Sequence, residues 1–215
     1  MKPARTLFIS ALFVLILLTA FVWLSPHMPA RVPTHWNAQG QVNGYMSPLG
    51  AMLTPLIVIV VLALLTFLLP AISPRGFAIT PFGSVFALIM LAVQAFVLVA
   101  ALAVLLNGAG HPVQMPLISM LGIGALLMVI GNYLGKLRKN FFIGIRTPWT
   151  LASDAVWERT HRIGGWLFML AGAVGIALAL AGGSLVVLVA IVLSVALVLT
   201  VYSYVAYRRL DAHGP

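Results

Sequence analysis

Residues 164–209 read GGWLFMLAGAVGIALALAGGSLVVLVAIVLSVALVLTVYSYVAYRR. No charged residue occurs between Arg162 and Arg208. A helix needs about 20 apolar residues to cross the hydrocarbon of a bilayer. This stretch is long enough for two crossings, and Gly182-Gly183-Ser184 in its middle is turn chemistry. The reading is a helical hairpin of two membrane spans, 164–181 and 185–206.

Working back toward the N-terminus, windows of the same kind fall at 6–25, 49–70, 82–106 and 114–135. The breaks between them carry their own punctuation. Pro70 to Pro81 includes Ser73-Pro74-Arg75-Gly76, and Asn107-Gly108-Ala109-Gly110-His111-Pro112 separates the third span from the fourth. Across the 215 residues 62% are hydrophobic and 7% are charged. A soluble domain carries roughly a quarter charged residues, so lipid must be the solvent for most of this chain. The expected fold class is all-α: a polytopic membrane protein of six transmembrane helices. The expected organisation is an N-terminal module over 1–70 and a four-span module over 71–215.

The N-terminal apolar run from Leu7 to Leu24 follows Lys2 and Arg5, as in a signal peptide. It is longer than a signal-peptide core, and Ser25-Pro26-His27-Met28-Pro29 lacks a small-x-small cleavage pattern, so it is expected to be an uncleaved first helix. Six spans place both ends on one side. With that side inside, Lys2, Arg5, Arg75, Lys136, Arg138, Lys139, Arg146, Arg159, Arg162, Arg208 and Arg209 are cytoplasmic and only Arg31 is outside. The positive-inside rule therefore predicts both termini in the cytoplasm. The net charge of +9 is an orientation signal on this reading, not a sign of a nucleic-acid partner. With no cysteine, disulfides, thiol nucleophiles and cysteine metal sites are excluded.

No charge lies in the middle of a span, which counts against an ion-coupled transporter. Gln94 is the main buried polar candidate, with an interhelical hydrogen bond as the first reading and a substrate contact as the second. Gly131-x-x-x-Gly135 and Gly172-x-x-Gly175 read as close-approach surfaces between helices.

Two segments are too rich to be simple connections. The outer one, 25–48, is SPHMPARVPTHWNAQGQVNGYMSP. Its prolines and then Gly40 and Gly44 predict an ordered extended stretch followed by two turns. Trp36, Tyr45 and Met46 suit the headgroup level. His27, His35 and His111 come from separate loops without an outer carboxylate, so no metal site and no cofactor is expected. The inner segment, 136–163, starts KLRKNFFIGIRTPWT, and its basic start suits anionic lipid heads. Thr147 reads as an N-cap with Pro148 as the first helical residue. Trp149, Ala152, Val156, Trp157 and Thr160 then recur at helical spacing, with Asp154, Glu158 and His161 on another face. This predicts an amphipathic helix in the interface or docked on the bundle, its acids paired with Arg146, Arg159 or Arg162. With a single Glu in the chain, a di-iron bundle site is impossible.

The outer stretch Val32-Pro33-Thr34-His35-Trp36-Asn37-x-x-Gly40-x-x-x-Gly44 resembles the N-terminal module of SdpI-type membrane proteins. The inner stretch Gly131-Asn132-x-x-Gly135-Lys136-x-Arg138-x-Asn140-Phe141-x-x-Gly144-Ile145-Arg146-Thr147-Pro148-Trp149-Thr150-Leu151, continued by Trp157-x-x-Thr160-His161-Arg162-x-x-Gly165, resembles that family's second signature. With the six spans, the resemblance covers nearly the whole chain. It implies a multi-pass bacterial cytoplasmic-membrane protein. It also implies protection against a secreted peptide toxin and the holding of a repressor at the membrane.

The preferred expectation is therefore immunity to, or sensing of, a membrane-active peptide, with membrane lipids, a peptide toxin outside and a cytoplasmic repressor as partners. The ligand- or partner-binding candidates are His35, Trp36, Asn37, Gly40 and Gly44 outside, and Asn132, Asn140, Arg146, Trp149, Trp157 and His161 inside. The competing expectation is a membrane enzyme or a carrier of lipids or small molecules, using Asn132, Asn140, Arg146 and His161 as a polar cluster. A third is that the inner motif only clamps the fourth span to the fifth.

Overall fold

The computed structural model describes residues 3–37 and 39–211. Lys2, counted in the charge asymmetry, lies outside the described residues, as does the side chain of Asp211. The chain forms α1 (Pro3–Leu24), strands β1 (Val32–Trp36) and β2 (Val42–Met46), then α2 (Pro48–Ile72), α3 (Gly83–Gly108), α4 (Met115–Leu134), α5 (Pro148–Ala152), α6 (Asp154–Leu180) and α7 (Leu185–Asp211). Six of these helices are long and apolar enough to cross a membrane. On α7, Leu193, Leu197 and Val201 form a stripe that is more than half exposed. Such a stripe suits lipid and would be untenable in water.

The helices alternate in direction, so the bundle has two dissimilar ends. One carries the β1–β2 hairpin, where Leu17, Leu24, Leu98 and Leu105 of α1 and α3 pack with Val32 of β1. The other carries residues 135–147 and α5, where Phe82, Phe86, Leu134, Leu137 and Trp157 form a second core.

The tightest helix pair is α4 against α6. A Cβ at Gly131 would come within 2.7 Å of the Gly165 carbonyl oxygen, and one at Gly172 within 2.5 Å of that of Gly124. The contacts are reciprocal, since a Cβ at Gly165 would meet the Gly131 oxygen at 2.8 Å. Both helices space their glycines seven residues apart, so each pair recurs on one face and the backbones lie almost in contact. Gly175 instead receives Leu188 of α7. Gly135 takes no part in close approach, because the nearest atom to its Cβ would be the Arg162 Cα at 3.8 Å. Gly131→Ala should therefore cost about 1–3 kcal/mol, the usual penalty of overpacking, whereas Gly135→Ala should be near neutral. Thermal unfolding of the two variants in detergent would check this; equal midpoints would mean that the α4–α6 contact yields freely.

Three expectations are corrected. The inner amphipathic helix is not a separate element. After the five residues of α5, Ser153 caps a new helix that runs unbroken into the fifth span from Asp154. Gly164-Gly165 does not interrupt it, because both glycines face neighbours that require them and remain helical. Gly44 is not a turn residue. It sits inside β2 opposite His35, where a Cβ would come within 2.8 Å of the His35 Cβ, so its role is cross-strand clearance. Gln94 makes no interhelical hydrogen bond. It is fully buried, and both its amide atoms lack a partner among the described residues. Its neighbours on the buried face of α3 are apolar: Met90, Leu91 and Leu98.

Candidate functional site

At the hairpin end, the Asn37 side chain builds the β1–β2 turn. Its Oδ1 accepts from the backbone N–H groups of Gln39 at 3.0 Å and Gln41 at 2.9 Å, and its Nδ2 donates to Gln41 Oε1 at 3.0 Å. Gly40 has φ +77°, a conformation L side chains rarely adopt, and a Cβ there would lie 3.1 Å from Pro116 of α4. The turn thus rests on the start of α4. Val32 is fully buried and fits over Gly108 of α3, where a Cβ would approach it to 2.6 Å. Opposite strands are joined by His35 Nδ1 donating to Asn43 Oδ1.

The hairpin roofs two adjoining cavities. One, about 270 Å³, runs between Thr34, Trp36, Ala100 of α3 and Ser119 of α4. The other, about 420 Å³, reaches from Trp36 along Gln114 and Met120 to the Gly182-Gly183 turn. Trp36, Met115 and Pro116 line both, so the half-buried indole stands where the two meet. Tyr45 lines neither; it is 49% exposed beneath the Arg31 guanidinium, 5.2 Å from its ring.

At the opposite end, residues 135–147 lack regular structure, so their backbone groups need partners from side chains. Asn140, fully buried, supplies four. Its Oδ1 accepts from the N–H groups of Phe142 at 2.8 Å and Ile143 at 2.9 Å, while its Nδ2 donates to the carbonyls of Arg138 and Ile143. His161, also fully buried, accepts from the Ile145 N–H at Nε2, 3.0 Å away. Its Nδ1 lies 2.8 Å from the Trp157 carbonyl, so the hydrogen-bond pattern assigns the neutral tautomer protonated at Nδ1. The imidazole stacks on Trp157 at 3.9 Å, and Trp157 Nε1 donates to the Leu137 carbonyl at 2.8 Å. Thr147 and Thr150 close a reciprocal capping box on α5, and the Thr147 hydroxyl lies 3.0 Å from that of Ser203 on α7. Trp149 packs against Tyr204 of α7 at 5.1 Å. These contacts form a clamp that joins α4, α6 and α7.

The structure separates the candidate residues. Asn140, Trp157 and His161 spend their polar atoms inside the clamp, and Trp149 docks α5 on α7. Asn132 stands exposed on α4, apart from them. Arg146 is exposed and donates through one guanidinium nitrogen to the Phe141 carbonyl. It is not the residue that holds the segment together, and its planar fork has no second acceptor among the described residues. A lysine there keeps the charge and one donor, so Arg146→Lys should leave function and unfolding temperature close to wild type. Loss of function by this variant would show that the full fork engages a partner. The acids also pair differently from expectation. Glu158 meets Arg138 at 3.0 Å and Asp154 meets Lys139 at 2.8 Å, both cations being on the irregular segment. The irregular segment lies beside α6, so its cations reach these acids. Such exposed pairs contribute about 0–1 kcal/mol each, so they guide the segment more than they hold it.

The chain is thus a six-span helical membrane protein with a small β-hairpin at one end of the bundle and a hydrogen-bonded clamp at the other. Its matches to known proteins fall on those same features. Residues 136–203 match the SdpI/YfhL protein family, and residues 12–59 match a domain of unknown function, DUF1648. Over 207 residues the chain is 29% identical to Immunity protein SdpI of Bacillus subtilis (strain 168), covering 94% of this chain and 96% of the relative. On these matches the chain is similar to the SdpI family, and it is a multi-pass protein of the cell membrane. No solved structure matches it.

Proposed function

We propose that this protein confers immunity to a membrane-active peptide, received at the hairpin end of the bundle on the outer side of the membrane. The relative's name supports immunity at the level of the family. The observation that carries the outer site is the pair of adjoining cavities beneath the hairpin, with Trp36 between them. A concave, largely apolar groove with a few polar groups at its rim is the usual form of a ligand site. The competing enzyme or carrier reading used Asn132, Asn140, Arg146 and His161 as one cluster, but the hydrogen-bonding groups of Asn140 and His161 are occupied within the clamp and Asn132 stands apart from them. In the same proposal, peptide occupancy is relayed to a cytoplasmic regulator through α4 and α6. These two helices are in backbone contact, and they run from the groove, at Met115 and Ala179, to the clamp, at Leu134 and Trp157.

The deciding experiment is deletion of the gene followed by challenge with membrane-active peptides. Sensitivity restored to resistance by the gene on a plasmid is the expected result, and unchanged sensitivity to every peptide tested would reject immunity. Orientation has its own test in this cysteine-free chain. Gln39→Cys should react with an impermeant thiol reagent added to intact cells, and Ala155→Cys, exposed on the first turn of α6, should not. Reversed labelling would put the hairpin inside and remove it from contact with a secreted peptide.

A further inference from the structure

A cavity of about 440 Å³ lies at the clamp end, between the residues that lead into α3, the end of α4 and the first turns of α6. Lys136, Arg138 and Arg162 line it, and Glu158 is the one acid there. Arg138 already engages Glu158 at 3.0 Å. Among the described residues, Lys136 and Arg162 therefore face the cavity with no carboxylate left to neutralise them. The Lys136 ammonium lies 4.5 Å from the Tyr133 ring centroid, a contact that orients the charge without cancelling it. A neighbouring cavity of about 390 Å³ shares Arg138 and Glu158 but adds Lys139 and Asp154, which pair with each other at 2.8 Å. One segment thus builds a charge-balanced cavity and, beside it, one with two uncompensated cations.

The depth and the remaining lining identify the occupant. The apolar run of α4 ends at Leu134 and that of α3 begins at Gly83, so the cavity opens at the level where hydrocarbon gives way to headgroups. Its walls include Phe82 and Leu137, both buried. One helical turn from Arg162, on the same face of α6, Trp166 is 72% exposed. An exposed tryptophan just inside a ring of basic residues is the pattern of a membrane interface. A guanidinium makes bidentate contacts with phosphate, and an ammonium serves as a point charge beside it.

We infer that this cavity is a binding site for the phosphate of an anionic phospholipid, held by Lys136 and Arg162 with its glycerol and upper acyl chains against Trp166. The inference is independent of the immunity reading, because it concerns the opposite end of the bundle and needs no peptide. Its test is equally separate. The protein is reconstituted in nanodiscs of phosphatidylcholine mixed with phosphatidylglycerol, released, and the co-purifying lipid is counted by native mass spectrometry. Wild type should retain phosphatidylglycerol in preference to phosphatidylcholine. Lys136→Gln with Arg162→Gln should reduce that preference about thirtyfold, in line with the contribution of two basic residues near a headgroup. Lys139→Gln, which alters the balanced cavity, should leave it unchanged. Both substituted positions are exposed, so folding should survive; Arg162→Gln alone, with a partial loss, provides the same reading should the double variant unfold. An undiminished preference in the variants, or equal retention of the two lipids by wild type, would overturn the site. Retention of inorganic phosphate by the delipidated protein, with displacement of phosphatidylglycerol when it is added, would assign the cavity to a soluble anion and overturn the lipid assignment.

Discussion

Gly144→Ala is expected to unfold the clamp. Gly144 has φ +109°, and a Cβ there would lie 2.5 Å from His161 Nε2 and 3.3 Å from the edge of Trp157. Two costs add. The first is backbone strain, of order 1–3 kcal/mol for a side chain held in this region. The second follows from the clash. The methyl group must push the imidazole or the loop aside, and the Ile145 N–H then loses its acceptor. A buried donor left without a partner costs about 1–3 kcal/mol. Together these remove roughly 2–6 kcal/mol, a large part of the 5–15 kcal/mol by which domains are ordinarily stable. Gly76→Ala is the control, since Gly76 has φ +86° with nothing within 4 Å of its Cβ and so carries the strain alone. Unfolding temperature in detergent and abundance in membranes should fall much further for Gly144→Ala than for Gly76→Ala. Equal effects would mean that His161 and the loop part without cost, and that the clamp is loose.

The six spans were legible because lipid imposes length and apolarity on each helix independently of its neighbours. The start of α5 was legible for a local reason: Thr147 and Pro148 are cap chemistry, and the cap forms within a few residues. What depends on partners distant in sequence was not. Glu158 and Asp154 sit at helical spacing near three arginines, yet they pair with Arg138 and Lys139, because the folding of residues 136–147 carries those cations back to α6. His161 sits among charges in the sequence, but Gly144 opens a slot that takes its ring inward. The fifth helix was started too late, at Gly164, since Arg159 and Arg162 end the apolar window there although the helix itself begins at Asp154. The seven-residue spacing of Gly124 with Gly131, and of Gly165 with Gly172, was the available signal for the α4–α6 contact. Asn140 stood out through the family motif, but its role as the hub of an irregular turn required the backbone to be seen.

Trp36→Ala should abolish most of the protection while leaving the protein folded and abundant. The hairpin is anchored by Val32 over Gly108, by the Asn37 turn and by Gly40 against Pro116, and none of these contacts uses the indole. Trp36 is only half buried and borders open space on two sides, so its removal leaves little void within the core. A bound peptide would cover that ring. A tryptophan at the centre of an interface commonly contributes 2 kcal/mol or more, which is about thirtyfold in affinity. Peptide concentrations that wild-type cells withstand should therefore inhibit the variant, with the inhibitory concentration lowered by roughly tenfold or more. Trp36→Phe keeps an aromatic ring at the junction of the cavities and should retain part of the protection. Val32→Asp provides the opposite pattern, because a carboxylate at a fully buried position should displace the hairpin and lower abundance together with protection. Full resistance in a His35→Ala, Trp36→Ala double variant at normal abundance would rule the groove out. The peptide would then have to be met on the lipid-facing surfaces of the helices, where α7 presents its exposed Leu193–Leu197–Val201 stripe.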